Sequence, residues 1–180
     1  MAPGCDDWDV GPGLPPLLRT GRRTADLVVV GSISAVREGF SISSPEGLWE
    51  QRTTVIVTVD EVIAGTPASQ ELTLQLARSP LTGVGELAET LPNGQALFIL
   101  EDITDWTPFP GALFEYPAGL SDATTIYSPY PDGIWFATDA TPVGYFASFD
   151  EITTRWSEVA DFADLVDAFR RAASDASSEP

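Results

Sequence analysis

Histidine and lysine are absent from this 180-residue sequence, and cysteine occurs once, at Cys5. Each absence removes chemistry. Without histidine there is no Ser-His-Asp or Cys-His arrangement and no histidine-ligated zinc or iron. A single cysteine excludes an intrachain disulfide, a CxxC redox pair and a cysteine-rich metal site. Without lysine there is no Schiff base and no P-loop lysine. Long apolar runs are missing too, and none approaches the ~20 residues that span a bilayer.

Positive charge is scarce. All nine basic residues are arginine, against 27 carboxylates, for a formal net charge of −18. Such a surface repels phosphate backbones and anionic headgroups, which disfavours nucleic acid and membrane-surface binding. The plain role of that charge is solubility. The missing lysine reflects either a composition bias of the genome or adaptation to high salt, and composition alone does not separate the two.

What is present is a body large enough to bury a core without staples. Residues 1–24 read as a tether, punctuated by Gly11, Pro12, Gly13, Pro15 and Pro16 and carrying the basic cluster Arg19, Arg22 and Arg23. Gly4–Cys5 followed by a loose Asp/Pro/Gly segment looks like a trimmed bacterial lipoprotein, in which Met1 is not native and Cys5 carries the lipid. The alternative is an incidental free thiol.

From Ala25 the pattern is that of strands. Ala25–Val36 is rich in valine, with Gly31 the expected bend. A polar loop is expected around Gly39–Gly47. Thr53–Gly65 is a strand with Val55, Val57 and Val59 on one face and Thr54, Ile56 and Thr58 on the other, its apolar pattern ending at Ile63 before the turn at Gly65–Pro67. Glu71–Leu76 points Leu72, Leu74 and Leu76 inward. Gln95–Leu100 is a continuous apolar run, as in a central strand covered on both sides. Ile134–Thr138 and Val143–Phe149 read as a hairpin. A helix capped by Asp161 presents Phe162, Leu165, Val166 and Phe169 as one stripe, ends near Arg170–Arg171, and leaves 173–180 as a frayed tail.

The segments Ala25–Ile33, Val55–Gly65, Leu72–Leu76 and Gly94–Leu100, in that order, resemble the netrin/TIMP-like OB-fold β-barrel domain of exported bacterial proteins of unknown function. The resemblance covers residues 25–100 and, more loosely, the C-terminal hairpin. It implies a mainly β fold: an OB-like barrel of five to six strands within a domain of residues 25–172, with the C-terminal helix. Animal inhibitors of this kind present an N-terminal cysteine to a protease metal. Cys5 lacks the Cys-x-Cys context and any disulfide partner, so that activity is not carried over.

The stretch Asp102–Gly133 has no counterpart in that pattern. It is expected to be a long irregular insert, and a connection of that length is functional or disordered. It interleaves Trp106, Phe109, Phe114, Tyr116, Tyr127 and Tyr130 with prolines, which argues for order. Such rings stack on sugars or anchor protein partners. Trp106, Tyr116, Tyr127 and Tyr130 are therefore the candidate binding residues. Trp106, Phe109 and Phe114 are expected to cap the barrel, and the three tyrosines to stay partly exposed.

The acidic groups Asp6, Asp7, Asp9 and Asp102, Asp105 lack the glycine-containing spacing of a calcium loop, so no metal or other cofactor is expected. The leading expectation is a non-catalytic module, exported or at the cell surface, that binds a protein or a carbohydrate. Any membrane attachment would run through a lipid on Cys5. The alternatives are a small hydrolase using paired carboxylates and a purely structural or assembly domain.

Overall fold

In the computed structural model of the chain the described residues are 25–79, 81–117, 120, 125–139, 141–145 and 159–176. The segment 1–24, with Cys5, lies outside them, as does most of the expected strand Val143–Phe149.

The fold is mainly β. Its strands are β1 (Leu27–Ser44), β2 (Gly47–Gly65), β3 (Glu71–Arg78), β4 (Gln95–Asp102), β5 (Leu113–Glu115), β6 (Ile126–Phe136) and β7 (Val143–Gly144). A short helix α1 (Val84–Thr90) joins β3 to β4, and α2 (Phe162–Ala176) follows the strands. Five strands close a ring in the order β1-β2-β3-β6-β4 and back to β1. Every contact in the ring is antiparallel except β3–β6, where Thr73 and Leu74 pair in parallel with Ile126 and Tyr127.

Strict alternation makes one face of each strand the ring interior. Leu27, Val29, Val55, Val57, Leu72, Leu74, Leu76, Phe98 and Leu100 form a single buried cluster there, joined by Leu87 of α1 and by Leu91. The opposite face of β1 and β4 is apolar as well. Val28, Val30, Leu97 and Ile99 pack with Trp135 against Leu165, Val166 and Phe169 of α2. That explains the unbroken Leu-Phe-Ile-Leu run of β4, which is covered on both sides as expected. Gly31 sits at a register shift between β1 and β2. A Cβ there would come within 2.4 Å of the Thr58 carbonyl oxygen, so the bulge needs glycine.

Three expectations are corrected. No loop spans Gly39–Gly47: β1 and β2 run on as a long arm and turn only at Pro45–Glu46. Its serines and glycines look like loop residues, yet Phe40 and Ile42 alternate with them and are buried. The insert Asp102–Gly133 is not irregular throughout, because it holds β5 and the first part of β6. Pro129 lies in β6 opposite Leu100, next to a register shift, where the ladder tolerates a residue without an N–H. Finally, α2 extends through Ala176, so residues 173–176 are helix and not frayed tail. Helix α1 was not expected: its apolar residues Val84, Leu87, Ala88 and Leu91 fall at helical spacing, but over a short stretch that begins at Gly83 and Gly85.

The Asp161 cap behaves as expected. Its Oδ1 accepts the Asp164 N–H at 2.9 Å, and Asp164 Oδ2 accepts the Ala160 N–H at 3.1 Å, a reciprocal cap. Farther along α2, Arg170 clasps Glu61 of β2 through Nε–Oε1 at 2.8 Å and Nη2–Oε2 at 2.6 Å, and also contacts Asp167.

The Arg170 hydrogen bonds hold the Glu61 carboxyl below its ordinary range, outweighing an opposing effect of burial. A depressed folded-state value gives stability that is present above the ordinary glutamate range and is lost as pH falls through the folded value. Both side chains are well exposed, so solvent screening limits the effect to below about 1 kcal/mol. Glu61→Gln is therefore expected to lower the unfolding midpoint slightly at neutral pH. That gap from wild type should close in acid, as a pH series of thermal unfolding curves would show.

Candidate functional site

The arm formed by β1 beyond Glu38 and β2 before Thr53 reaches past the ring, and the insert folds back onto it. Strand β5 pairs with the arm as Ser41–Glu115, Ile42–Phe114 and Ser43–Leu113. This register puts Ile42 and Phe114 on one face. Phe40 joins that face, and Ile103, Trp106, Phe109, Ala112 and Leu120 of the insert cover it. The result is a third apolar cluster on the outside of the ring.

Its rings are in mutual contact. Phe114 meets Phe40 edge-on at a centroid distance of 5.5 Å, and Tyr116 stacks on Phe114 at 5.9 Å with planes 14° apart. Tyr116 also lies 5.6 Å from Phe40, and Trp106 meets Phe114 edge-on at 6.4 Å. These offset and edge-to-face geometries are the favourable ones for aromatic pairs.

Beneath the rings lies Arg52. Its guanidinium carbon is 5.4 Å from the Trp106 centroid and 5.8 Å from that of Phe40, within cation–π range. Nη1 donates to the Gln75 carbonyl and to Ser128 Oγ, each at 3.3 Å. Glu50 Oε1 lies 2.8 Å from Nε, but Nε makes no aligned hydrogen bond; the contact is a charge pair. Arg52 thus ties the arm, β3, β6 and the insert together.

Next to it Gln75 is fully buried. Its Oε1 accepts the Phe40 N–H at 3.4 Å, its Nε2 donates to Thr54 Oγ1 at 2.8 Å, and that hydroxyl donates to the Glu38 carbonyl at 3.1 Å. Gly39 makes this possible, since a Cβ there would sit 2.5 Å from Gln75 Oε1.

The four candidate binding residues do not converge. Trp106 and Tyr116 belong to the arm–insert cluster, Trp106 half-buried and Tyr116 46% exposed. Tyr127 is only 4% exposed and faces the ring interior, which corrects the expectation that it stays exposed. Strand pairing with Leu74 and Asp102 turns its side chain inward, and burial raises its phenol above the usual range. Tyr130 is half-buried and packs on the α2 side of the sheet. Phe109 and Phe114 are half-buried within the cluster. Cys5 lies outside the described residues.

Sequence reasoning missed Phe40, Arg52 and Gln75. Phe40 and Ile42 do alternate within Gly39–Ser44, and that signal was available. Gln75 is hidden by its place between inward leucines on an alternating strand.

Two other places hold less. A shallow groove of ≈ 380 Å³ lies between α2 and the sheet, lined in part by Val30, Asp60, Gln95, Phe162 and Arg170. Its polar groups already pair, Gln95 with Asp60 at 3.2 Å and Arg170 with Glu61. Among the described residues no group of carboxylates is placed to hold a metal ion. Comparison with protein-family models, with curated proteins and with solved structures gave no match to this chain.

Proposed function

We propose that the five-strand ring is an OB-like β-barrel and that the chain is a non-catalytic binding module, exported or at the cell surface. The barrel reading is supported by the order of the ring and by its single parallel contact, β3–β6. OB barrels bind through the face of strands 2 and 3 and the loops that flank it, the one between strands 1 and 2 and the one between strands 4 and 5. Here those loops are the β1–β2 arm and the segment between β4 and β6, and they are the two parts that pair through β1–β5.

One observation carries the binding reading. Tyr116 is 46% exposed while its ring stacks on Phe114 and touches Phe40. A flat aromatic face braced from behind loses little freedom when a ligand arrives. It suits the apolar face of a sugar ring, or a proline or aromatic side chain of a partner protein. Nucleic acid is disfavoured, because Arg52, the arginine beneath these rings, is paired with Glu50. Export rests on the Gly4–Cys5 pair, and palmitate labelling that disappears in Cys5→Ser would support it.

The test is Tyr116→Ala. Its expected effect on unfolding is a loss of about 1 kcal/mol, that of its ring contacts with Phe114 and Phe40. Binding to an array of neutral glycans and proline-rich peptides should fall about tenfold or more, as at an interface anchor. Unchanged binding with a large loss of stability would make Tyr116 a packing residue only.

A further inference from the structure

The opposite face of the arm carries a second surface. Directly paired residues share a face, so Leu113, Ser43 and Leu48 stand in one row across β5, β1 and β2. The next row is Glu115, Ser41, Gln51 and Arg78. Beyond it Glu38 pairs with Thr53, and Thr53 pairs with the inward Leu76. This face therefore continues the ring interior outward, away from the aromatic cluster. Leu48 is 53% and Leu113 60% exposed. Arg78 bonds Glu38 at 2.9 Å and donates to the Thr82 carbonyl at 2.7 Å. That tethers to the same rows the loop bearing Leu81, itself 94% exposed.

Two half-exposed leucines flank Ser43 on this sheet face, one on each neighbouring strand, and exposed apolar groups rimmed by polar ones mark contact sites. The charge around them selects the occupant. Glu38, Glu46 and Glu115 are exposed, and the cation of these rows, Arg78, is neutralised by Glu38. A second copy of a chain with net charge −18 would bring like charge against like. An anionic lipid surface would do the same.

We propose that the Leu48–Ser43–Leu113 face is a docking surface for a segment of a different protein that alternates basic and apolar residues. Its apolar side chains cover the leucine row, and its cations reach Glu115 and Glu46. This goes beyond the Tyr116 reading and uses the other face of the arm, so each can fail alone.

The experiment titrates the whole chain with a synthetic peptide of alternating arginine and leucine, and with a control alternating glutamate and leucine. The arginine peptide should bind saturably, and more weakly as salt rises from about 50 to about 500 mM. Its affinity should fall about tenfold or more in a Leu48→Ser, Leu113→Ser double variant, which keeps every charge and leaves the unfolding midpoint in place. Tyr116→Ala should leave it within about twofold, since that ring is on the other face. Equal binding to wild type and double variant would reduce the effect to diffuse electrostatics and overturn the proposal. Binding of the glutamate peptide would overturn the charge argument. Wild-type self-association that the double variant loses would make a second copy the occupant and overturn it as well.

Discussion

Phe98→Ala is expected to cost about 3–5 kcal/mol of folding stability, the usual range for removing a fully buried phenylalanine. Phe98 is at 0% exposure in the middle of β4, with its ring among the leucines and valines of the ring interior. Its neighbours Leu97 and Ile99 are fixed from the other side by α2, so the strand cannot sink into the space left behind. Collapse is restricted, and the cost should fall in the upper half of the range. Urea unfolding would read it as a lower midpoint at unchanged slope. A loss below about 1 kcal/mol would mean that β4 does not line the interior.

Arg52→Ala is expected to be the second largest, at about 2–3 kcal/mol, because it leaves Glu50 as an unpaired and mostly buried carboxylate. It also removes two hydrogen bonds to β3 and β6 and the cation beneath Trp106 and Phe40. The effect should therefore be both thermodynamic and local. Near-ultraviolet circular dichroism from the aromatic cluster should weaken while the far-ultraviolet β signal stays. Adding Glu50→Gln should recover part of the lost stability, since the stranded charge is then gone. If the double variant were as unstable as the sum of the two singles, the pair would not be coupled.

How far the sequence discloses this structure depends on what each residue faces. The N-terminal half of β1, β2 from Thr53, β3 and β4 were legible because they are buried on one face or two, and their valines and leucines alternate or run together. The cap at Asp161 and the stripe of α2 were legible for the same kind of reason, a fixed spacing that only one geometry satisfies. The arm was not legible. It owes its strand form to pairing with β5 some seventy residues later, and to Gln75 reaching the Phe40 N–H from β3. Neither contact leaves a local pattern, and Gly39 with its surrounding serines suggests a loop.

The candidate site was half legible for a related reason. Counting aromatics between prolines located the insert, and it found Trp106 and Tyr116. It could not sort the tyrosines, because exposure there is decided by the ladder. Tyr127 sits in a strand that closes the ring, and Tyr116 just past the end of β5. The prolines that suggested an open loop are compatible with β6 only because its ladder is already irregular near Pro129. Apart from Glu50, the partners of Arg52 (Phe40, Gln75, Trp106 and Ser128) are distant in sequence, so an arginine in a β-branched run gave no warning.

The insert pairs with the arm through β5 and thereby sets Tyr116 against Phe114 and Phe40. Amide hydrogen exchange across Leu113–Glu115 tests it most directly. Pairing with Ser41–Ser43 predicts that β5 amides exchange far more slowly than a free peptide, with protection near that of the arm. Exchange of β5 at free-peptide rates while β1 and β4 stay protected would contradict it, and the Tyr116 surface would not exist as described.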